Sequence, residues 1–165
     1  MMQARMRQAY LLAVVVVASV VVLGGMAFAQ SSNPLVGTWK LNVAKSKYTT
    51  GTAPKSFTLK YEAAGAGVKL TVDSVGATGT VSHWEYTANE DGKDNPVVGN
   101  NQNADMIART RINATTIRTV SKKGGKVTVT STFVMSSDGK MMTVTSTGTD
   151  TSGQKVDTVG VYEKQ

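Results

Sequence analysis

Cysteine is absent from this chain. Disulfides, thiolate metal sites and cysteine nucleophiles are therefore excluded, as is the lipid-anchored type of bacterial precursor, which needs a cysteine at its cleavage site. Histidine occurs once. A transition-metal site would have to be completed by carboxylates, and none stands at a telling spacing, so neither a metal nor a cofactor is expected. Aromatic residues make up only 6% of the chain, too few to fill a wide interior with rings. Helical periodicity is missing too: after Pro34 no stretch sustains apolar residues at spacings of three and four. A small domain so composed must hold together by burial and sheet pairing alone, and 165 residues suffice for one such domain.

The first residues have a different character. Arg5 and Arg7 form a short positive stretch, Ala9 to Ala29 carry no charge, and Ala27-Phe28-Ala29 is a small-x-small site. That order is the pattern of a secretory signal peptide, assigned to 1–29, with the mature domain at 30–165. An uncleaved membrane anchor is the rival reading, because the uncharged run approaches the roughly 20 residues a spanning helix needs. Gly24-Gly25 and the Ala-x-Ala site interrupt it and favour cleavage. The expected location is periplasmic or extracellular, with no membrane span after cleavage. The formal charge is +7, lowered by two when Arg5 and Arg7 leave. So modest an excess fits a solubilising surface and gives no case for a nucleic-acid partner.

What is present is alternation. Trp39, Leu41 and Val43 alternate with polar residues, as do Phe57, Leu59 and Tyr61, then Val68, Leu70 and Val72. Six more runs follow, at 80–87, 105–112, 115–122, 126–135, 140–147 and 155–163. Thr and Val dominate them, as suits a pleated surface. Turn clusters such as Lys123-Gly124-Gly125 and Ser137-Asp138-Gly139 separate them. The segments 45–55 and 89–103 look irregular. An all-β fold is expected, an antiparallel up-and-down barrel of about eight to ten strands, because closure removes exposed edges. A two-sheet sandwich is the alternative. Small side chains inside a wide barrel should leave a partly hydrated hollow.

Several residues stand out as candidates. In His83-Trp84-Glu85-Tyr86, strand alternation puts His83 and Glu85 on one face and Trp84 and Tyr86 on the other. All three of His83, Trp84 and Tyr86 are candidate ligand contacts, together with Tyr61. Arg109 and Arg111 alternate with Met106, Ala108, Thr110 and Ile112, the more apolar face, and are expected outside and solvated. Arg118 shares a face with Val120 and is the one candidate for an inward cation. Glu90, Asp91 and Asp94 crowd one segment, but not in the order a calcium loop demands, so a solvated turn is expected. No catalytic constellation appears, since the single histidine has no serine elbow to serve.

The opening Leu35-Val36-Gly37-Thr38-Trp39-Lys40-Leu41 and the closing Val161-Tyr162-Glu163-Lys164 resemble the first and last strands of the calycin superfamily, the lipocalins and fatty-acid-binding proteins. The pattern is similar to that of uncharacterised exported bacterial lipocalin-like proteins. The resemblance implies that Gly37 and Trp39 are structural, with Trp39 plugging one barrel end, and that Tyr162 offers its hydroxyl inward. It also implies where a carboxylate clamp would lie. The matching positions are Gly160-Val161-Tyr162, with the tyrosine but no arginine, and Met135, which is uncharged. A carboxylate would then be desolvated without a charge partner. The expected function is thus an exported monomeric protein that binds a small neutral or weakly polar hydrophobic molecule in a barrel cavity. The alternatives are a structural or protein-interaction barrel without ligand, and an enzyme using His83 as acid or base.

Overall fold

The structure, a computed structural model, describes residues 33–165. The leader expected at 1–29 lies outside the described residues. Twelve strands form one antiparallel sheet. They are β1 (Gly37–Leu41), β2 (Lys47–Tyr48), β3 (Ser56–Ala64), β4 (Gly67–Val75), β5 (Val81–Ala88) and β6 (Asp91–Pro96), then β7 (Val98–Gly99), β8 (Met106–Arg111), β9 (Thr116–Lys123), β10 (Lys126–Met135), β11 (Met141–Thr149) and β12 (Lys155–Lys164). Nine of them coincide with the nine alternating runs. The other three, β2, β6 and β7, arise in the two segments that look irregular. Their sequences carry no apolar alternation (β6 is Asp-Gly-Lys-Asp-Asn-Pro). They are strands because neighbouring strands offer unpaired backbone edges.

The sheet runs β6-β8-β9-β10-β11-β12-β1-β3-β4-β5-β7, with β2 added to β12. Its two ends, β6 and β7, are consecutive in the chain. The segment starts paired to β8, from Asp91↔Thr110 to Pro96↔Met106. After Val97 it changes partner and pairs with β5, Trp84↔Gly99 and Glu85↔Val98. One stretch of backbone thereby spans the gap between β5 and β8, and the barrel is nearly closed.

Antiparallel pairing sorts the connections to two ends. The β3–β4, β5–β6, β8–β9 and β10–β11 turns gather at one end, the floor. The β2–β3, β4–β5, β9–β10 and β11–β12 connections gather at the other, the mouth, with the segment between β7 and β8. The core fills the floor end and includes Leu35, Trp39, Tyr61, Ile117, Met135 and Met142. Burying side chains of this kind contributes roughly 1.5–3 kcal/mol each.

Candidate functional site

Trp39 is completely buried. Its indole N–H donates to the Leu35 carbonyl at 2.8 Å, and Lys164 Nζ lies 5.2 Å from its ring centroid. Gly37 precedes it with φ of 131°, and a Cβ there would stand 2.9 Å from Lys164 Cε. First and last strands are therefore locked together at the floor.

Just inside the floor sits a buried ion network. Arg109 is fully buried, its Nε 3.0 Å from Glu90 Oε1 and its Nη1 donating to Tyr86 Oη at 3.3 Å. Its guanidinium carbon lies 5.2 Å from the Tyr61 ring centroid and 5.7 Å from that of Phe133. Glu90 also binds Arg111 at 2.6 Å. Burial works against the Arg109 charge, but Tyr86, Tyr61 and Glu90 outweigh it and raise its pKa, so Arg109 stays a cation.

This corrects two expectations. Arg109 and Arg111 are not a solvated outer pair: β8 turns Ile107 and Arg109 inward together, and Glu90 pairs with the guanidinium that the apolar-face rule would keep outside. Glu90 is not in a solvated turn, since its side chain is 9% exposed. Asp91 and Asp94 do stay at the surface, beside Lys93 and Lys122.

Above the network is a cavity of about 740 Å³. Its deep half is apolar, formed by Leu59, Leu70, Ile107, Phe133, Val144 and Tyr162. Tyr162 meets Phe57 edge to face, with ring centroids 6.1 Å apart. Gly160 makes room for it, because a Cβ there would sit 3.0 Å from the Tyr162 ring. Trp84 and Tyr86 stack nearly parallel, 6.2 Å apart, on the β5 wall. Burial pushes the hydroxyl pKa of Tyr61 and of Tyr162 well above the tyrosine range, so both stay protonated.

The mouth half is polar. Ser131, Ser146 and Thr158 line it, and Thr119, opposite Arg109 on β8, continues their cross-strand row along β9 to β12. Ser74 and Ser82, paired on β4 and β5, line the wall formed by those strands. Asn100 to Asn103 pass along the mouth. Thr128, buried at the β10 bulge, holds this strap: its hydroxyl lies 2.7 Å from the Asn103 carbonyl and 3.1 Å from that of Ser121. Thr151 Oγ1 adds a bond to Asn103 Oδ1 at 3.2 Å. Among the described residues no charged side chain lines the cavity.

Of the residues singled out from sequence, the structure brings Trp84, Tyr86 and Tyr162 to one cavity. Tyr61 is buried below it, beneath Arg109. Arg118 is corrected: it alternates with the buried Ile117 and Thr119 and points to solvent. His83 is also outside, 61% exposed, with Nδ1 2.6 Å from Asp73 Oδ1. The hydroxyl belt is not legible strand by strand. Its composition is visible in the sequence, but choosing the inward Ser or Thr on each strand requires the register.

Among the described residues no group of three or more His, Cys, Asp or Glu is placed to hold a metal ion. No family model matches the chain, and no curated protein matches it. A solved structure similar to it is that of the siderocalin Ex-FABP, described as functioning through dual ligand specificities. The superposition covers 80% of this chain and 74% of that one, with a TM-score of 0.38 and 10% sequence identity. So loose a superposition says nothing about a ligand here.

Proposed function

We propose that this protein binds a neutral amphipathic small molecule inside its barrel and does so outside the cytoplasm. The observation that carries the binding reading is the cavity of about 740 Å³ that no charged side chain lines among the described residues. Its size falls in the range of about 300–1,000 Å³ usual for small-molecule pockets. A carboxylate entering it would lose its hydration and meet no charged side chain in the lining, since Arg109 lies outside that lining and is bound to Glu90. Calycin membership is supported by Gly37 and Trp39 on the first strand, packed against Lys164 of the last. Export is supported by the leader pattern alone, and Edman sequencing of the protein from its host should begin at Gln30.

The binding test is titration with Nile red, a neutral dye that brightens in apolar surroundings. Saturable one-to-one binding is expected, and Val144→Trp, which fills the deep half, should abolish it while the variant stays folded by circular dichroism. Failure of the parent protein to bind saturably, or full binding by the filled variant, would count against a ligand cavity.

A further inference from the structure

We infer that the molecule held here carries a polyol head, as in a glycosylated apolar compound, with the apolar part entering first and the sugar-like part resting at the mouth. This rests on the binding reading above and adds the class of head group and its orientation.

The decisive feature is the register of the hydroxyls. Thr119 faces Ser131, Ser131 faces Ser146, and Ser146 faces Thr158. With strands about 4.8 Å apart, the four span roughly 14 Å of wall along one cross-strand row, which continues on β8 to Arg109. Ser74 and Ser82 stand in register on β4 and β5. One mutual bond, Ser131 Oγ to Ser146 Oγ at 2.8 Å, uses a single proton of the belt. Ser82 Oγ reaches the Asn100 carbonyl at 3.4 Å and its Oδ1 at 3.3 Å, while the remaining hydroxyls line the cavity.

Each hydroxyl is both donor and acceptor. A wall of such groups, with no charge, is matched by a head whose own groups are donors and acceptors. An ionic head meets no charged side chain in this lining. A purely apolar head would strip water from several hydroxyls, at about 1–3 kcal/mol for each group left unpaired. A simple alcohol satisfies one point of the belt, whereas a sugar ring presents hydroxyls around its whole edge and so reaches more than one strand. Directly below Ser82 on the same inward face lies Trp84, whose flat apolar surface suits the face of such a ring. Asn101, Gln102 and Asn103 set side-chain amides at the mouth, where further hydroxyls would emerge.

The test compares octyl β-glucoside, 1-octanol and octanoate by isothermal titration, all below their micelle concentrations, on the full mature protein. The glucoside should bind at least about tenfold tighter than octanol, roughly 1.4 kcal/mol. The double variant Ser146→Ala/Thr158→Val should erase that preference, with the loss of affinity falling on the glucoside rather than on octanol. Equal affinity for glucoside and octanol would overturn the polyol assignment while leaving the cavity as a binding site. Octanoate binding best would overturn both this inference and the neutral-ligand reading. Saturable binding of none of the three would also overturn both.

Discussion

Glu90→Gln tests how the floor beneath the cavity is held. Glu90 sits at the β5–β6 turn with φ of 59°, the one non-glycine residue with positive φ among the described residues. A non-glycine residue there costs about 1–3 kcal/mol, tolerated only where the surroundings impose it. Here the backbone aims the carboxylate at Arg109, 3.0 Å away, and at Arg111, 2.6 Å away. Arg109 is 0% exposed and Arg111 is 31% exposed, so Arg109 bears nearly all the cost of losing the anion. Stranding one partner of a buried pair costs about 3–5 kcal/mol. Glutamine keeps the shape and one acceptor, so the lower end applies, about 3 kcal/mol, which lowers Tm by roughly 10 °C in a domain of this size. The double variant Arg109→Met/Glu90→Gln removes both charges and should recover most of the loss, since apolar replacements of buried pairs are often neutral or stabilising by roughly 1–4 kcal/mol. Urea unfolding with a constant m-value is the assay. A single variant within about 0.5 kcal/mol of the parent, or a double variant no better than the single, would refute the claim that Glu90 compensates a buried charge.

Trp39→Ala should cost about 3–5 kcal/mol by opening the floor, measurable as a lower urea midpoint. Gly148→Ala should destabilise by at least about 1 kcal/mol, because Gly148 has φ of 150° and a Cβ there would overlap the Thr128 carbonyl at 2.1 Å. His83→Ala should leave Nile red affinity within about twofold of the parent and stability within about 0.5 kcal/mol, as an exposed pair contributes little. A large loss of binding would place His83 functionally inside after all. Acid should weaken the fold through carboxylates whose pKa is lowered when folded. Asp138 is held down by bonds from Ser136 and the Lys140 amide, Asp150 by Ser152 and the Gln154 amide, and Glu163 by Lys45 and Asn42. Such groups add stability above their unfolded pKa of about 4 and lose it as pH falls through the lower folded value. Tm should accordingly be flat from about pH 5 to 7 and fall below about pH 4, and a Tm unchanged down to about pH 3 would contradict this.

The sequence alone determined the strands that carry their own signal. Alternating apolar residues and glycine-containing turns locate β1, β3, β4, β5 and β8 to β12, because period two and turn chemistry are local properties of the chain. The split of the β5 cluster into faces, with Trp84 and Tyr86 together and His83 opposite, was equally local. Which face looks inward was not. Arg109 is inside because Glu90, 19 residues earlier, reaches it across the β5–β8 gap, and no rule based on the polarity of one strand contains that partner. Arg118 is outside because its neighbours Ile117 and Thr119 are claimed by the core. β6 and β7 exist only because β8 and β5 leave edges for them to pair with. The hydroxyl belt belongs to the same category. Each serine or threonine is an ordinary strand residue, and only pairing across four strands sets Thr119, Ser131, Ser146 and Thr158 side by side in one row of the cavity wall. Register is a relation between strands distant in sequence, so tertiary structure alone decides it.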